Sequence, residues 1–401
     1  MTVQDGRVGE LIERTGAFIR DLVIPREREA FAGRHGSLDS IVSELRAQAR
    51  RLGLIAPHLP RKWGGQGLTY LETARVFRAA GYSLLGPLAM NIAAPDEGNM
   101  HLLDRVGTEE QKARFLAPLA KGTVRSAFLM TEPDGGAGSD PSMLATVAEE
   151  HAGEWIIRGR KTFATGAAGA DFAIVMARTG SSATMFLVQM NTPGIRVERI
   201  LDTLDETMPG GHAVVTLEDV RIAGSDILGE ANQGFRYAQV RLAPARLTHC
   251  MRWWGAARRA HDVAVNYAAS RQAFGRFLID HEGVGFMLAD NLIELKQTEL
   301  LIDWSAGILD TGAMGTTESS MVKVAASESL WRIADRCVQI LGGLGVTRDT
   351  IVEQVFREMR AFRIYDGPSE VHRWSLARSI KREHSARLEG VNKASGLLSP
   401  E

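Results

Sequence analysis

The sequence predicts an α+β chain in three parts. These are an N-terminal helical domain over residues 1–125, a small antiparallel β-sandwich or barrel over 126–230, and a C-terminal four-helix bundle over 231–387, followed by a flexible tail at 388–401. Three observations predict it. Apolar residues step by three and four on both flanks, and a block of short β-branched and aromatic runs separates those flanks. The strand–helix alternation of a doubly wound parallel sheet is missing.

In the first part, Val8, Leu11, Ile12, Thr15, Ile19 and Leu22 share one helical face, and Pro25 is expected to close that helix. Ile41, Leu45 and Leu52 mark a second helix ahead of Pro57 and Pro60, and further helical patterns cover Leu71–Ala80 and Glu109–Leu119. No strand pattern precedes Ser126. The middle part then reads Trp155-Ile-Ile, Phe172-Ala-Ile-Val-Met, Met185-Phe-Leu-Val and Ala213-Val-Val-Thr-Leu. Turn residues at Gly153, Gly159, Gly180, Pro193-Gly194 and Pro209-Gly210-Gly211 separate these runs. After Gly234 the helical period returns, in a stretch over Arg236–Arg271, on Leu288, Leu292, Leu295 and Ile302, and on Val322, Ala326, Leu330, Ile333, Cys337 and Ile340. A last helix over about Ser369–Arg382 completes a bundle of four.

Composition narrows the function classes. A formal net charge of −1 over 401 residues supplies no field to recruit nucleic acid or an anionic membrane. Two cysteines, Cys250 and Cys337, are too few for a disulfide framework or a metal cage, and Cys337 lies on an apolar stripe. The N-terminus lacks a basic then apolar leader, and no run approaches the ~20 apolar residues of a membrane span, so a cytoplasmic protein is expected. No Gly-x-Gly-x-x-Gly follows a strand, which argues against a nicotinamide dinucleotide.

Short motifs carry the chemistry. Met130-Thr-Glu-Pro-Asp-Gly-Gly-Ala-Gly-Ser-Asp-Pro141 combines glycines with hydroxyl residues, so that backbone N–H groups can converge on an anion. Gly159-Arg-Lys-Thr-Phe-Ala-Thr165, Arg271-Gln-Ala-Phe-Gly275, Gln339-Ile-Leu-Gly-Gly-Leu-Gly345 and Tyr365-Asp-Gly-Pro-Ser-Glu370 follow in order. Taken singly, each is an ordinary turn or helix end. Their order and spacing over most of the chain resemble the acyl-CoA dehydrogenase family, with Asp134 and Gly135 as two extra residues inside the first motif. The Asp-Gly-Pro-Ser-Glu-Val-His ending resembles the branch whose base is aspartate in place of glutamate, a branch associated with bulkier or less usual acyl groups.

The resemblance implies FAD as cofactor. Phe128, Met130, Thr131, Ser139, Phe163 and Thr165 would line the flavin and ribityl region. Arg271, Phe274, Gln339, Ile340, Gly342 and Gly343 would reach the adenosine diphosphate end from a neighbouring subunit of a homodimer or dimer of dimers. An arginine suits that place because its planar fork holds two phosphate oxygens. His281 falls at a flavin-contacting position, beside Glu282 where a glutamine is usual, and Pro368 and Glu370 lie in the ending. His372 reads either as a flavin-side contact or, preferably, as a solvated helix residue. Ser139, Arg246, Gly367 and Arg378 match positions near the acyl-CoA substrate, and Ala245 excludes the alternative carboxylate some members carry there. Asp366 takes the position of the base.

That base would remove the α-proton of an acyl thioester while flavin N5 takes the β-hydride. An apolar, water-excluding pocket is expected to raise its basicity. Aspartate is one methylene shorter than glutamate, a retreat of ~1.5 Å. Electrons would pass to an electron-transferring flavoprotein. Two rival readings are a flavin oxidase of the same fold, like nitroalkane oxidases, and a non-catalytic FAD-binding scaffold.

Overall fold

A computed structural model of the chain describes residues 3–31 and 38–394. The N-terminal part is helical, carried mainly by α1 (Val3–Phe18), α2 (Leu38–Arg51), α3 (Tyr70–Ala80) and α4 (Asp96–Val106). Pro25 does not end the first helical path. The backbone widens into a π segment at Ile19–Val23, tightens to a 3₁₀ turn at Ile24–Arg26 and continues through Glu27–Phe31. The proline sits at the start of that turn, where its missing N–H withdraws no bond. Leu22 and Leu52, counted on the apolar faces, are exposed instead. Thr69 and Glu72 cap α3 reciprocally, and the Asp310 carboxylate accepts from the N–H groups of Tyr70 and Leu71.

The middle part is one curled sheet of seven strands: β1 (Ser126–Leu129), β2 (Val147–His151), β3 (Glu154–Thr165), β4 (Phe172–Thr179), β5 (Ser182–Gln189), β6 (Ile195–Ile200) and β7 (His212–Ala223). Strands run in the order β1-β4-β2-β3-β7-β6, with β5 on β4. The pairing is mostly antiparallel, but β1 lies parallel to β4, which departs from a purely antiparallel module. Residues of β4 and β5 are buried on both faces, which explains their unbroken apolar runs.

The C-terminal part holds α5 (Gly234–Ser270), α6 (Glu282–Asp310), α7 (Thr316–Leu341) and α9 (Ser369–Ala394). A shorter helix, α8 (Ile351–Phe362), precedes α9 and buries Val352, Val355, Met359 and Phe362. It was not expected, although that spacing is helical. The last helix runs to Ala394, so the supposed tail is helical over 388–394, and 395–401 lie outside the described residues.

The two helical parts share one core, with Phe77 and Leu85 in the same cluster as Leu247, Met251, Ile302 and Phe362. The sheet closes a core of its own around Ile157, Val175, Phe186 and Val215. Helices α3 and α5 cross closely at a pair of glycines. A Cβ on Gly81 would lie 2.1 Å from the Arg252 carbonyl oxygen, and one on Gly255 would lie 2.3 Å from that of Arg78. Cys250 and Cys337 are both free and buried. Among the described residues, no helix is long and apolar enough to cross a membrane.

Candidate active site

The loop between α8 and α9 carries Asp366, and its backbone is unusual. Asp366 has φ +53° and Gly367 φ +97°, so an L-residue with a Cβ is held in the left-handed region. Side chains from three helices hold the carbonyls of this loop. Arg246 of α5 donates through Nε to the Asp366 carbonyl at 3.2 Å. His372 of α9 approaches the same oxygen at 3.1 Å through Nε2, which must be the protonated nitrogen because a carbonyl only accepts. Its Nδ1 is then free to accept from Ser320 at 3.2 Å. Lys323 of α7, wholly buried, donates to the carbonyls of Phe362 at 2.7 Å and Gly367 at 2.9 Å. A Cβ on Gly367 would meet His372 Nε2 at 2.6 Å, which reserves that place for glycine.

His372 is thus a buried clamp and not the solvated helix residue expected from the sequence.

The Asp366 carboxylate faces His249, whose Nε2 lies 3.1 Å from Oδ2. His249 packs against the rings of Tyr365 and Phe362, with centroids at 5.0 and 6.0 Å, and those two rings also touch each other. Burial, with Arg252 nearby, drives the His249 pKa down to about 4, so the ring is neutral and Nε2–H donates to the carboxylate. For Asp366, burial pushes the pKa up. The His249 hydrogen bond and the positive charges of Arg241 and Arg246 outweigh it and hold the carboxyl well below the usual range. The expected rise in basicity is therefore reversed, because desolvation is only one of the forces on this group and its neighbours are cationic.

A polar hub at the start of α4 joins this pocket to the sheet. Asp96 accepts from the N–H and hydroxyl of Ser126 on β1, both at 2.8 Å. Asn99 accepts from Arg241 Nε at 2.8 Å, and the Arg241 guanidinium lies 4.0 Å from the ring centroid of Phe128. Glu97, buried, accepts from Thr248 at 2.9 Å and pairs with Arg252 at 3.8 Å. On the other side Glu358 of α8 accepts from the backbone N–H groups of Glu206 and Thr207, docking the β6–β7 connection on the bundle.

The glycine-rich motif is pinned by Glu132. Its carboxylate accepts from the N–H groups of Ala137, Ala145 and Thr146 and from buried Lys161 at 2.8 Å. Lys161 also donates to the Met130 carbonyl, and the Thr131 carbonyl accepts from Thr162 N–H. The two extra residues make a turn with Asp134 at φ +57° and Gly135 at φ +86°, and Asp134 pairs with Arg160. Ser139 is exposed beyond that turn. Phe163 sits at a bulge of β3 with φ +50° and is 58% exposed. Thr165 bonds His212 at 2.9 Å, which in turn meets Asp205 at 2.9 Å.

Other expected site residues lie elsewhere. Arg271 follows the last residue of α5, 25 positions beyond Arg246, about 37 Å along that helix. It opens a small hairpin on which Phe274 is 97% exposed and His281 bonds the Ala273 carbonyl at 3.0 Å. Gln339, Gly342 and Gly343 stand exposed at the end of α7, where a Cβ on either glycine would meet nothing within 4 Å. Ile340 is turned into the core, leaving only its backbone to offer. Pro368 completes the Asp366 loop, and Glu370 is an exposed partner of Arg373. Arg378 is exposed on α9 with its guanidinium over Trp374 at 4.6 Å.

Sequence reasoning missed His249, Arg241, Arg252, Glu97 and Lys323. One signal was available: Arg246 and His249 at i,i+3 share a face of a helix that is otherwise rich in buried alanine. Lys323 similarly interrupts the apolar stripe of α7.

Comparison with known proteins agrees with this architecture. Models of the acyl-CoA dehydrogenase N-terminal, middle and C-terminal domains match residues 9–123, 127–219 and 232–381. The chain is 38% identical over 359 residues to the Mycobacterium tuberculosis protein named "Probable acyl-CoA dehydrogenase FadE2", covering 86% of this chain and 87% of that one. It is 33% identical to acyl-CoA dehydrogenase family member 11 of Gallus gallus over 94% of this chain, but spans only 51% of that relative. A Mycobacterium abscessus structure described as an acyl-CoA dehydrogenase superposes with TM-score 0.88 at 36% identity, over 94% of this chain and 98% of that one. A glutaryl-CoA dehydrogenase of Mycobacterium smegmatis, solved in complex with FADH2, gives TM-score 0.84 at 25% identity, over 93% and 94%. The chain is a member of the acyl-CoA dehydrogenase family.

Proposed function

We propose that the protein is an FAD-dependent dehydrogenase of an acyl-CoA thioester in which Asp366 removes the α-proton, electrons passing onward to an electron-transferring flavoprotein. The observation that carries this reading is the base loop itself. Three helices spend Arg246, His372 and Lys323 on holding one ionised aspartate in a left-handed conformation. A turn serving only to join two helices has no need of such clamping.

The residues present fit the dinucleotide. Phe163 offers an exposed ring beside Thr165, and Gly342 and Gly343 leave open space for close backbone approach. When bound, FAD supplies the hydride acceptor. Arg271 and Phe274 lie about 37 Å along α5 from the base region, so one dinucleotide cannot border both groups within a single chain. A second copy would supply them, which agrees with the exposed apolar row Phe286, Ile293, Leu300 and Trp304 on α6.

In this reading Asp366 takes the α-proton, while Phe163 and Thr165 would orient the ring system. Anaerobic titration of the purified flavoprotein with a varied acyl-CoA panel, watching the flavin absorbance bleach, tests it. Asp366→Asn is expected to keep FAD and abolish bleaching, and retained bleaching overturns the base. Rapid peroxide release during turnover in air would establish the oxidase instead.

A further inference from the structure

We propose that His249 is the positioning residue of the base: a neutral imidazole whose Nε2–H holds Oδ2 of Asp366, fixing the carboxylate so that its other oxygen takes the substrate proton. The proposal rests on the reading of Asp366 as the base.

The geometry is specific. Nε2 lies 3.1 Å from Oδ2, and an ionised carboxylate can only accept, so the hydrogen sits on Nε2. The ring is buried against Tyr365 and Phe362, which pack on each other, and the Tyr365 hydroxyl is itself anchored by Trp253 Nε1 at 2.6 Å. The loop clamps act on the Asp366 carbonyl, through Arg246 and His372, and leave the side-chain torsions open. Aspartate lacks the extra methylene of glutamate, and a ~1.5 Å shorter reach leaves little tolerance for a misaimed oxygen. One hydrogen bond to the carboxylate closes that freedom.

The surrounding charges keep the imidazole a donor. Arg252 on α5 and Lys323 on α7 face it and oppose its protonation, while Asp366 favours it. Arg241, Arg246 and Lys323 act on Asp366 from α5 and α7, with Glu97 of α4 nearby. Burial outweighs the carboxylate's pull on the ring, so the pair is a neutral donor and an ionised acceptor, not two opposite charges. A buried neutral donor can align the base without adding a further cation to those already around it.

The test measures proton abstraction alone, with the holoenzyme and acetoacetyl-CoA as probe, because the ultraviolet absorbance of its enolate reports removal of the α-proton without hydride transfer. Stopped-flow traces from pH 4 to 9 give the rate and its acid limb for wild type, Asp366→Asn, His249→Gln, His249→Asn and His249→Phe. Glutamine can place an N–H where Nε2 stands, whereas asparagine is too short. His249→Gln should stay within about threefold of wild type. His249→Asn and His249→Phe should be slowed at least about tenfold, a loss typical of a misaligned general base. Their acid limb should also change, because the imidazole that sets it in the wild type is gone and the carboxylate has lost a donor that holds its pKa down.

If His249→Phe fails to retain FAD, the comparison of asparagine with glutamine still decides. Equal rates and equal acid limbs for those two overturn the positioning role while leaving the base intact. Full enolate formation by Asp366→Asn, or none by wild type, defeats the base reading itself.

Discussion

Replacing Lys323 with methionine separates the stability of the fold from the rigidity of the Asp366 loop. The lysine is wholly buried and donates to the carbonyls of Phe362 and Gly367 at 2.7 and 2.9 Å. Leaving those carbonyls without this donor costs about 1–3 kcal/mol each. Burial, however, holds the ammonium's pKa at about 8 against an ordinary 10.5. Keeping it charged in the interior at pH 7 therefore costs about 3 kcal/mol, which the methionine relieves. The opposing effects nearly cancel, so Lys323→Met should melt within a few degrees of wild type at pH 7. Turnover should nevertheless fall about 10–100-fold, because the loop that aims Asp366 has lost a clamp.

The pH dependence makes this argument refutable. The folded-state pKa lies below the unfolded one, so between pH 8 and 10.5 the unfolded chain binds the extra proton. The wild type therefore gains stability as pH rises through that window, while the deprotonated amine still donates. Denaturant unfolding at pH 7, 8, 9 and 10 should show wild type gaining up to about 3 kcal/mol on Lys323→Met, other titrations being common to both. Parallel stability curves would refute the buried-ammonium account, and unchanged turnover would refute the clamp.

Three further perturbations probe other supports of the site. Glu132→Gln should destabilise by about 3–5 kcal/mol and loosen the glycine-rich loop, since it leaves Lys161 buried without its counter-charge. Burial raises the Glu132 pKa, but Lys161 and the loop N–H donors bring it down to about 2. Its stabilisation is present above the ordinary 4.5 and is lost as pH falls toward 2, a loss that acid unfolding of the mutant should not show. Glu358 is pushed up to about 7 by burial, so its contribution is complete below pH 4.5 and lost as pH rises through 7. Glu358→Gln should flatten that slope and gain up to about 3 kcal/mol on wild type between pH 5 and 8 in denaturant titrations. Arg271→Ala should lower flavin content and shift the gel-filtration profile toward smaller species, whereas normal flavin content would place the adenosine end elsewhere.

How much of this was legible in the sequence follows from what each feature depends on. The three-part architecture came from local periodicity, which long helices such as α7 and apolar strands such as β4 and β5 express strongly. Pro25 misled because the chain escapes through a π segment, a tertiary accommodation that no window of sequence reveals. Asp366 was singled out by its neighbours in the chain. His249 and Lys323 were not, because their partners lie 117 and 44 residues away and their roles exist only once α5, α7 and the base loop meet. His372 was misread for the same reason, since a histidine on a polar terminal helix reads as solvated until its ring is seen under the loop. The expected rise in basicity failed on a sum over charges. Burial was foreseen, but Arg241 and Arg246 converging on one carboxylate were not.

A low pKa for the free carboxylate does not by itself weaken Asp366 as a base. In the proposed reaction, proton abstraction moves negative charge from the carboxylate to the thioester, leaving the number of charges unchanged. Arg241, Arg246 and the clamped loop act on both positions. They oppose the reaction by stabilising the aspartate, and they favour it by stabilising the charge that develops on the substrate. What decides the barrier is the difference in field between Oδ of Asp366 and the substrate oxygen, and a neutral His249 matters there because its hydrogen bond is made to the first. Adding a positive charge at His249 would deepen the carboxylate's well without reaching the substrate equally. Protonation of His249 below its pKa of about 4 should therefore slow abstraction even while Asp366 remains ionised, which places the acid limb of the wild type on the imidazole and not on the carboxyl group.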